Sequence, residues 1–350
     1  MITRRLEGEN MKRWIGRHET AVFLIITYGI SWPLWLISGA LLRTPVRAPD
    51  LPWLVAQIGV FAPALAGMAL GICVDPGGRR RALRLLGLVY APAVALGAWI
   101  ATRGFPSFTA VDARSTWILN ALALWILVSL GRERNRLVPW TAQKSDRTNT
   151  ALWSAGSLLA PPALFLAAWA MTPATAGPAS RLPVMPVREL TPLGVLASLS
   201  MNLAYGGSLG EEPGWRGAWL SRLLQSHTPF TASLIISFWW ALWHAPIDLS
   251  QGFGFTGIGA LVVRQITTLP MAIVFTWVTL RAGGSLLPPL LFHASLNAIP
   301  DFALGQPVRY ERAFGVFLVL LVIIVLVAAM MDPRFRGAPH KEREQSARSL

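Results

Sequence analysis

The segment "GGSLGEEPGWRGAW" (206–219) brings two carboxylates and a guanidinium together inside an apolar stretch. A charged side chain at the centre of a bilayer costs about 3 kcal/mol or more, so membrane chains keep such residues where they have a use. Residues four apart share a helix face, so Glu212 is expected to pair with Arg216. Glu211 is rotated from Glu212 by about 100° and faces elsewhere. The spacing therefore predicts one structural carboxylate and one that is available for chemistry.

Two later apolar stretches carry histidines. His244 lies in "FWWALWHAPID", and His293 precedes Asn297 by four residues in "LFHASLNA", so that pair shares one helix face. Glu211 and His244 lie at equal distances along the chain from a predicted turn at 226–229. His293 follows a short hinge near residue 281, and helical rise brings it to a similar membrane depth. We therefore expect one carboxylate and two imidazoles to converge.

Such a set has two chemical uses. A carboxylate in apolar surroundings takes up a proton more readily than one in water, and an imidazole can share or relay that proton. A second His and an Asn amide can donate hydrogen bonds to the oxyanion that forms when water attacks an amide carbonyl. Alternatively, Glu211, His244 and His293 could bind zinc and leave an open position for water. Their spacing differs from the HExxH pattern, so the sequence permits zinc without requiring it.

Two further charged residues are candidates for supporting roles. Asp248 lies four residues after His244 and is expected either to orient that imidazole or to lie at the outer end of the helix. Arg264 lies within an apolar run, where it could neutralise Glu212 or Asp248 or hold the terminal carboxylate of a substrate. A structural role is favoured for Arg264.

The composition indicates a membrane protein. The 350 residues are 53% hydrophobic and 14% charged, whereas soluble domains carry about a quarter charged residues. A net charge of +14 would suggest nucleic acid in a soluble chain, but here the basic residues lie in gaps between apolar runs. Lipid is therefore the expected surrounding, and nucleic acid is excluded as a partner. The single cysteine, Cys73, excludes disulfides and thiolate metal sites.

The positions of the apolar runs predict an all-α, polytopic bundle of about eight to ten transmembrane helices without a soluble domain. The runs are 21–42, 52–74, 85–102, 115–130, 151–171, 193–224, 230–247, 257–280, 284–300 and 312–331. Most Lys and Arg residues lie at the termini and in alternate gaps. By the positive-inside rule, this distribution predicts that both termini lie in the cytoplasm and that the chain crosses the cell (inner) membrane.

The three polar motifs resemble those of the CPBP intramembrane proteases, also called Abi or type II CAAX prenyl endopeptidases. That family carries EExxxR, FxxxH and HxxxN on successive membrane helices. The first and third patterns are matched by "EEPGWR" (211–216) and "HASLN" (293–297). The second corresponds to "WALWH" (240–244), in which Trp replaces the usual Phe. The resemblance covers roughly 195–300.

The resemblance implies roles for individual residues. Glu211 would be the general base that activates water, with His244 assisting. His293 and Asn297 would form the oxyanion hole. Glu212 and Arg216 would brace the first helix of the site. Family members were first described as metalloproteases, whereas the eukaryotic-type enzymes resemble glutamate-dependent proteases, so the resemblance leaves zinc open.

The predicted organisation follows from the runs and the resemblance. It comprises a basic cytoplasmic leader (1–20), N-terminal transmembrane helices of unknown role (21–190), a CPBP-like catalytic transmembrane domain (191–305), a C-terminal transmembrane helix (306–331) and a cytoplasmic tail (332–350).

The resemblance predicts an intramembrane endopeptidase acting on a membrane-associated or lipidated peptide. The alternative is a non-enzymatic membrane protein, such as a bacteriocin self-immunity protein, that keeps the fold and uses the polar pocket only for binding. An ion-coupled transporter is disfavoured because its polar residues would be spread over paired halves.

Overall fold

The structure is a computed structural model, and it describes residues 2–42, 50–75, 77–102, 113–137, 147–173, 192–251, 257–302 and 307–336. Within these ranges the chain is helical and contains no β-strand, as the apolar runs predicted. The predicted domain boundary near residue 190 and the tail from residue 337 lie outside the described residues. The division of the chain into domains stays a prediction.

Seventeen α-helices are present in the described ranges. They are α1 (Ile2–Arg17), α2 (Glu19–Leu42), α3 (Asp50–Val60), α4 (Ala62–Val74), α5 (Gly78–Leu85), α6 (Ala91–Thr102), α7 (Ala113–Leu137), α8 (Arg147–Ala170), α9 (Pro192–Ala204), α10 (Ser208–Glu212), α11 (Leu220–Leu223), α12 (Pro229–Trp243), α13 (Ala245–Gln251), α14 (Ile258–Arg281), α15 (Leu287–Ala298), α16 (Pro307–Met331) and α17 (Pro333–Arg336). Two π-helical segments (Leu86–Tyr90 and Pro213–Trp219) and a 3₁₀ turn (Ile299–Phe302) connect some of them.

Several of these helices are suited to lipid. By length and composition, four helices in the described ranges could cross a membrane: α2, α8, α14 and α16. A fifth span is possible if α3 and α4, which bend by 41° relative to each other, form one broken crossing. The outward faces of the long helices carry large apolar side chains. Ile25 on α2 and Leu152 on α8 are each 67% exposed. Apolar surface on this scale requires a cover, and the lipid of a multi-pass membrane protein provides it.

Some of the other predicted spans are divided into shorter helices. The run 193–224 contains α9, a turn at 205–207, α10, the π-helical segment and α11. Glycines at 206 and 207 end α9, and Pro213 lacks the N–H that a regular α-helix would use there. The "GGSLGEEPGWRGAW" stretch is thus helical from Ser208 onward rather than a loop. From Pro213 to Trp219 its backbone hydrogen bonds follow the wider π-helical pattern.

The core of the bundle is aromatic and surrounds this segment. Trp215, Trp219 and Trp243 are fully buried, and Phe23 of α2 stacks on Trp219 with ring centroids 5.3 Å apart. Trp215 meets Trp243 of α12 edge to face at 5.9 Å. Rings in such arrangements contribute beyond the area that they bury. The aromatic contacts therefore fix the segment 208–223 against α2 and α12.

Arg222 anchors the other end of the segment. Its Nε lies 2.8 Å from Glu19 Oε2 at the start of α2, and its Nη2 lies 3.3 Å from Asp75 Oδ1 just after α4. The side chain is only 7% exposed. This ion pair network ties α11 to two neighbouring helices.

Glycines let α3 and α4 approach the glutamate-bearing segment closely. A Cβ added at Gly214 would lie 2.2 Å from the backbone oxygen of Pro63, and one at Gly210 would lie 2.5 Å from that of Val60. Small residues at such spacing are the usual means by which membrane helices pack backbone to backbone. The position of Glu211 therefore depends on these two glycines.

We expect Gly214→Ala to destabilise the protein by roughly 1–3 kcal/mol, the range for overpacking a tight interface, because the new methyl group meets backbone that cannot move alone. Thermal unfolding of the detergent-purified variant measures this loss. Gly29→Ala on α2 is the matched control, since a Cβ there meets no atom within 4 Å. Equal unfolding temperatures for the two variants would contradict the packing argument.

Candidate active site

Glu211 lies near the C-terminal end of α10 and is 5% exposed. Its Oε2 accepts a hydrogen bond from the indole N–H of Trp240, at 2.5 Å from Nε1. Trp240 lies on α12, which packs against the segment that carries Glu211, and it is 4% exposed. A buried carboxylate is stable only with hydrogen-bonding partners, and Trp240 supplies one of them.

Glu212 is fully buried and joins two helices. Its Oε1 lies 3.3 Å from Arg216 Nη1, which is the predicted pair four residues apart. The same Oε1 lies 2.8 Å from His293 Nδ1 on α15, a contact that the spacing did not predict. Since a carboxylate only accepts, Nδ1 of His293 carries the proton. Glu212 therefore fixes the orientation of the His293 ring as well as the position of Arg216.

The guanidinium of Arg216 is fully buried and held by aromatic rings. Its Cζ lies 4.2 Å from the centroid of Trp240 and 4.7 Å from that of Phe275 on α14. Within the described part of the chain, the Nε and Nη2 atoms of Arg216 have no hydrogen-bond partner. Cation–π contacts of a desolvated guanidinium contribute about 2 kcal/mol, and here they take the place of further hydrogen bonds.

Gly207 leaves a small space beside the carboxylate. It has φ of +107°, a conformation that favours glycine. A Cβ added there would lie 2.5 Å from Glu211 Oε1 and 3.4 Å from His293 Nε2. These two atoms therefore lie close to each other beside Gly207, where a side chain would collide with Glu211. The predicted convergence of Glu211 and His293 is present.

His244 lies at the break between α12 and α13. Its Nδ1 lies 2.9 Å from the carbonyl oxygen of Trp240, one helical turn earlier. A carbonyl only accepts, so Nδ1 carries the proton and the lone pair of the neutral ring lies on Nε2. The ring lies against Trp243 and Trp35, with centroids 4.8 and 6.2 Å away. His244 is thus held with its basic nitrogen directed away from its own helix.

Asn297 is half-buried on α15, and its Nδ2 donates to the carbonyl oxygen of Gly206 at 2.6 Å. This bond ties α15 to the turn immediately before α10. One of the two amide protons is used there, and the other is available for a second acceptor. His293 and Asn297 were predicted to face the same partner, but in the structure they contact different groups: Asn297 contacts the turn at Gly206, and His293 contacts Glu212.

Asp248 and Arg264 pair with each other. Arg264 Nε donates to Asp248 Oδ2 at 2.8 Å, and Arg264 Nη2 donates to Oδ1 at 2.6 Å. The Asp248 side chain is fully buried. Of the roles considered for Arg264, pairing with Asp248 is the one in the structure, and it joins α13 to α14. The carboxylate of Asp248 is engaged by this two-point contact, so the alternative that it orients His244 receives no support from the contacts.

Removing one member of this pair should be costly. We expect Arg264→Gln to lower the free energy of unfolding by about 3 kcal/mol, because it leaves the Asp248 carboxylate buried without its cation. The double variant Arg264→Gln/Asp248→Asn should recover part of the loss, since both charges are then absent. Chemical or thermal unfolding of both variants in detergent measures the difference. A double variant that is less stable than the single one would contradict the assignment.

The candidate zinc ligands do not form a metal-binding group in this arrangement. Nδ1 of His244 contacts the Trp240 carbonyl and Nδ1 of His293 contacts Glu212, so a metal could reach only Nε2 of each ring. Among the described residues, no cluster of three His, Cys, Asp or Glu side chains has a geometry that could hold a metal ion. As arranged, Glu211, His244 and His293 do not fit a zinc site.

Sequence reasoning missed two participants. Trp240 was interpreted as an aromatic replacement for Phe, although its place one turn before His244 and its indole N–H were both visible signals. Phe275 carried no signal, because one Phe within an apolar run is indistinguishable from the others. Its role depends on the rotation of α14, which spacing does not fix.

Two comparisons with known proteins agree with this geometry. Residues 192–299 match the family model described as Type II CAAX prenyl endopeptidase Rce1-like. The chain is also similar to CAAX prenyl protease 2 of Methanococcus maripaludis, with 24% identity over 169 residues. That match covers 39% of this chain and 62% of the relative, so less than two thirds of the relative is represented. Residues 192–299, which carry the three motifs, are thus similar to the CAAX protease family, and both comparisons support that family for this part of the chain.

Proposed function

We propose that the protein is an intramembrane endopeptidase that hydrolyses a peptide bond of a membrane-associated or lipidated peptide. One observation carries the proposal: Glu211 Oε1 and His293 Nε2 lie together beside Gly207, 2.5 and 3.4 Å from the position that a Cβ would take there. A buried carboxylate beside an imidazole is an arrangement that general acid–base catalysis on water uses. The family match of the surrounding segment supports peptide hydrolysis as the reaction.

Glu211 is the proposed base. Its Oε1 takes a proton from a water molecule as the water oxygen attacks the carbonyl carbon of the substrate. The C–O bond forms, and the carbonyl electrons move to oxygen to give a tetrahedral oxyanion. The protonated Glu211 then passes its proton to the amide nitrogen as the C–N bond breaks, which yields one new carboxyl terminus and one new amino terminus.

His244 is the proposed assistant. With Nδ1 donating to the Trp240 carbonyl, the Nε2 lone pair is free to accept the second hydrogen of the attacking water. Two acceptors fix the position and orientation of the water molecule, so less translational and rotational entropy is lost on reaching the transition state. The fixed ring of His244 therefore supports a positioning effect on the nucleophile.

His293 and Asn297 are the proposed donors to the oxyanion. When both ring nitrogens of His293 carry protons, Nδ1 donates to Glu212 and Nε2 donates to the developing negative charge. The second amide proton of Asn297 supplies another donor next to the Gly206 turn. Donors fixed before the reaction stabilise an oxyanion by several kcal/mol, about 3–4 for one donor in a protease.

The reaction is proposed to depend on glutamate, without a step through a metal. Among the described residues, no group of three His, Cys, Asp or Glu side chains is arranged to hold a metal ion, and this supports the choice over the zinc alternative. A chelator is therefore expected to leave the rate of cleavage unchanged. Activity that disappears with chelator and returns with zinc alone would contradict the proposal.

Peptide cleavage by the purified protein in liposomes tests the function. Three peptides of one sequence are compared: prenylated on a cysteine near the C-terminus, acylated at the same cysteine, and unmodified. Mass spectrometry identifies the new termini. We expect cleavage of at least one lipidated peptide and slower cleavage of the unmodified one, because lipid attachment raises the concentration at the membrane. The name of the archaeal relative makes the prenylated peptide the first choice.

The binding alternative predicts a different outcome. If the protein acts as an immunity protein without catalysis, none of the peptides is cleaved, and cells carrying Glu211→Ala or His293→Ala keep their protection.

We place the protein in the cell (inner) membrane with both termini in the cytoplasm, supported by the basic residues at the termini and in alternate gaps.

A further inference from the structure

Trp240 contacts four residues of the candidate site. Its indole N–H donates to Glu211 Oε2, its ring covers the Arg216 guanidinium at 4.2 Å, and its carbonyl oxygen accepts from His244. The ring also meets His293 edge to face, with centroids 5.8 Å apart. One residue therefore contacts Glu211 and Arg216 of the first motif and both imidazoles.

We propose that Trp240 is a positioning residue that holds the Glu211 carboxylate through its indole N–H, so that Oε1 rather than Oε2 faces the attacking water. This assignment rests on the proposed function for its catalytic consequence but not for its geometry. The family pattern has Phe at this position, and a Phe ring has no hydrogen-bond donor. The N–H therefore gives this chain a contact to its base that the ring alone does not provide.

The two oxygens of Glu211 have different surroundings. Oε2 lies 2.5 Å from Trp240 Nε1, while Oε1 faces Gly207 and His293 Nε2. Hydrogen bonds to an ionised group are short and roughly twice as strong as neutral ones. With Trp240 and Glu211 both nearly fully buried, no bulk water competes for Oε2. The indole thus selects which oxygen is free to act as the base.

Trp240→Phe tests the contribution of the indole N–H separately from that of the aromatic ring. Phe keeps an aromatic face over Arg216 and against His293, but it removes the donor to Glu211. We expect kcat to fall roughly 10- to 100-fold with KM nearly unchanged, because misplacing a reacting group affects the chemical step rather than substrate binding. Unchanged kcat in Trp240→Phe, with its unfolding temperature also unchanged, would overturn the proposal, since the ring alone would then suffice.

A second readout does not require enzymatic activity. In protein labelled with ¹⁵N at the indole nitrogen, the Trp240 signal is the one lost in Trp240→Phe. We expect it to lie downfield and to shift upfield in Glu211→Gln, which replaces the charged acceptor by a neutral one. If Glu211→Gln leaves that signal in place, the hydrogen bond does not exist and the proposal fails. If the signal shifts but no peptide is cleaved by wild type, the contact stands and the proposed function fails.

Trp277 provides a matched control. Its indole N–H also donates to a carboxylate, Asp332 Oδ2 at 2.9 Å, but this pair joins α14 to the residue after α16, away from the candidate site. Its NMR signal should not respond to Glu211→Gln, and Trp277→Phe should leave kcat unchanged. An equal loss of kcat in Trp277→Phe and Trp240→Phe would mean that loss of any indole–carboxylate contact impairs the protein, and it would overturn the specific role.

Discussion

Glu211→Gln is expected to reduce peptide cleavage by at least about 10³-fold, within the range that a general base contributes. Gln has almost the same shape as Glu and can still accept the hydrogen bond from Trp240. Its amide oxygen cannot take up the proton of the attacking water, so the nucleophile is not activated. The rate of formation of new peptide termini in liposomes measures the effect.

The interpretation of this variant requires that it folds. Glu211 makes no ion pair among the contacts of the described residues, and Gln preserves its volume, so the unfolding temperature should stay close to that of wild type. Glu9→Gln on the exposed face of α1 is a control for replacing a carboxylate elsewhere, and it should cleave at the wild-type rate. Cleavage by Glu211→Gln at more than a tenth of the wild-type rate would assign the base to another residue.

Glu212→Leu is expected to have the second largest effect, through stability. It leaves the Arg216 guanidinium fully buried without its counter-charge, which costs about 3–5 kcal/mol when one partner of a buried pair is removed. A loss of this size is a large part of the stability of most proteins, so the variant should unfold or fail to accumulate in membranes. Expression level and unfolding in detergent measure it.

The double variant Glu212→Leu/Arg216→Met separates structure from catalysis. Replacing both members of a buried ion pair by apolar residues is often neutral or stabilising, so folding should be restored. Cleavage should nevertheless remain reduced, by roughly 10- to 100-fold, which is the usual effect of removing a partner that orients a functional His. His293 Nδ1 has lost its acceptor in this variant. A stable double variant with full activity would limit Glu212 to a purely structural role.

Much of the candidate site followed from spacing alone. The four-residue interval predicted the Glu212–Arg216 pair, and equal distances from the turn near 226–229 predicted that Glu211 would lie near the histidine-bearing helices. These predictions succeed because rise per residue and helix periodicity are nearly constant. They concern position along a helix and the face on which a residue lies.

Contacts that depend on helix rotation and rotamer choice were not predictable. The Glu212–His293 hydrogen bond and the Trp240–Glu211 hydrogen bond both join different helices, and neither has a local sequence signal. The same limit applies to the Asp248–Arg264 pair, for which two alternatives were left open. The catalytic roles of Glu211, His244, His293 and Asn297 stay predictions, because geometry alone does not measure a rate.

Hydropathy also could not predict how some of the spans are divided into separate helices. Window averages identify apolar stretches but not the turn at 205–207 or the 41° bend between α3 and α4. Gly206, Gly207 and Pro213 were visible breakers, yet the result is a helix that restarts and widens rather than a loop. Tertiary packing of Gly210 and Gly214 against α3 and α4 decides that outcome.

The π-helical segment Pro213–Trp219 limits where related chains can gain or lose residues during evolution. Deleting one residue there would allow regular α-helical bonding, but it would turn the two glutamates by about 100° relative to Arg222, which is held by Glu19 and Asp75. Inserting one residue would turn them by the same angle the other way. Alignments of related chains should therefore be free of gaps between Glu211 and Arg222, with length differences confined to the connections between helices.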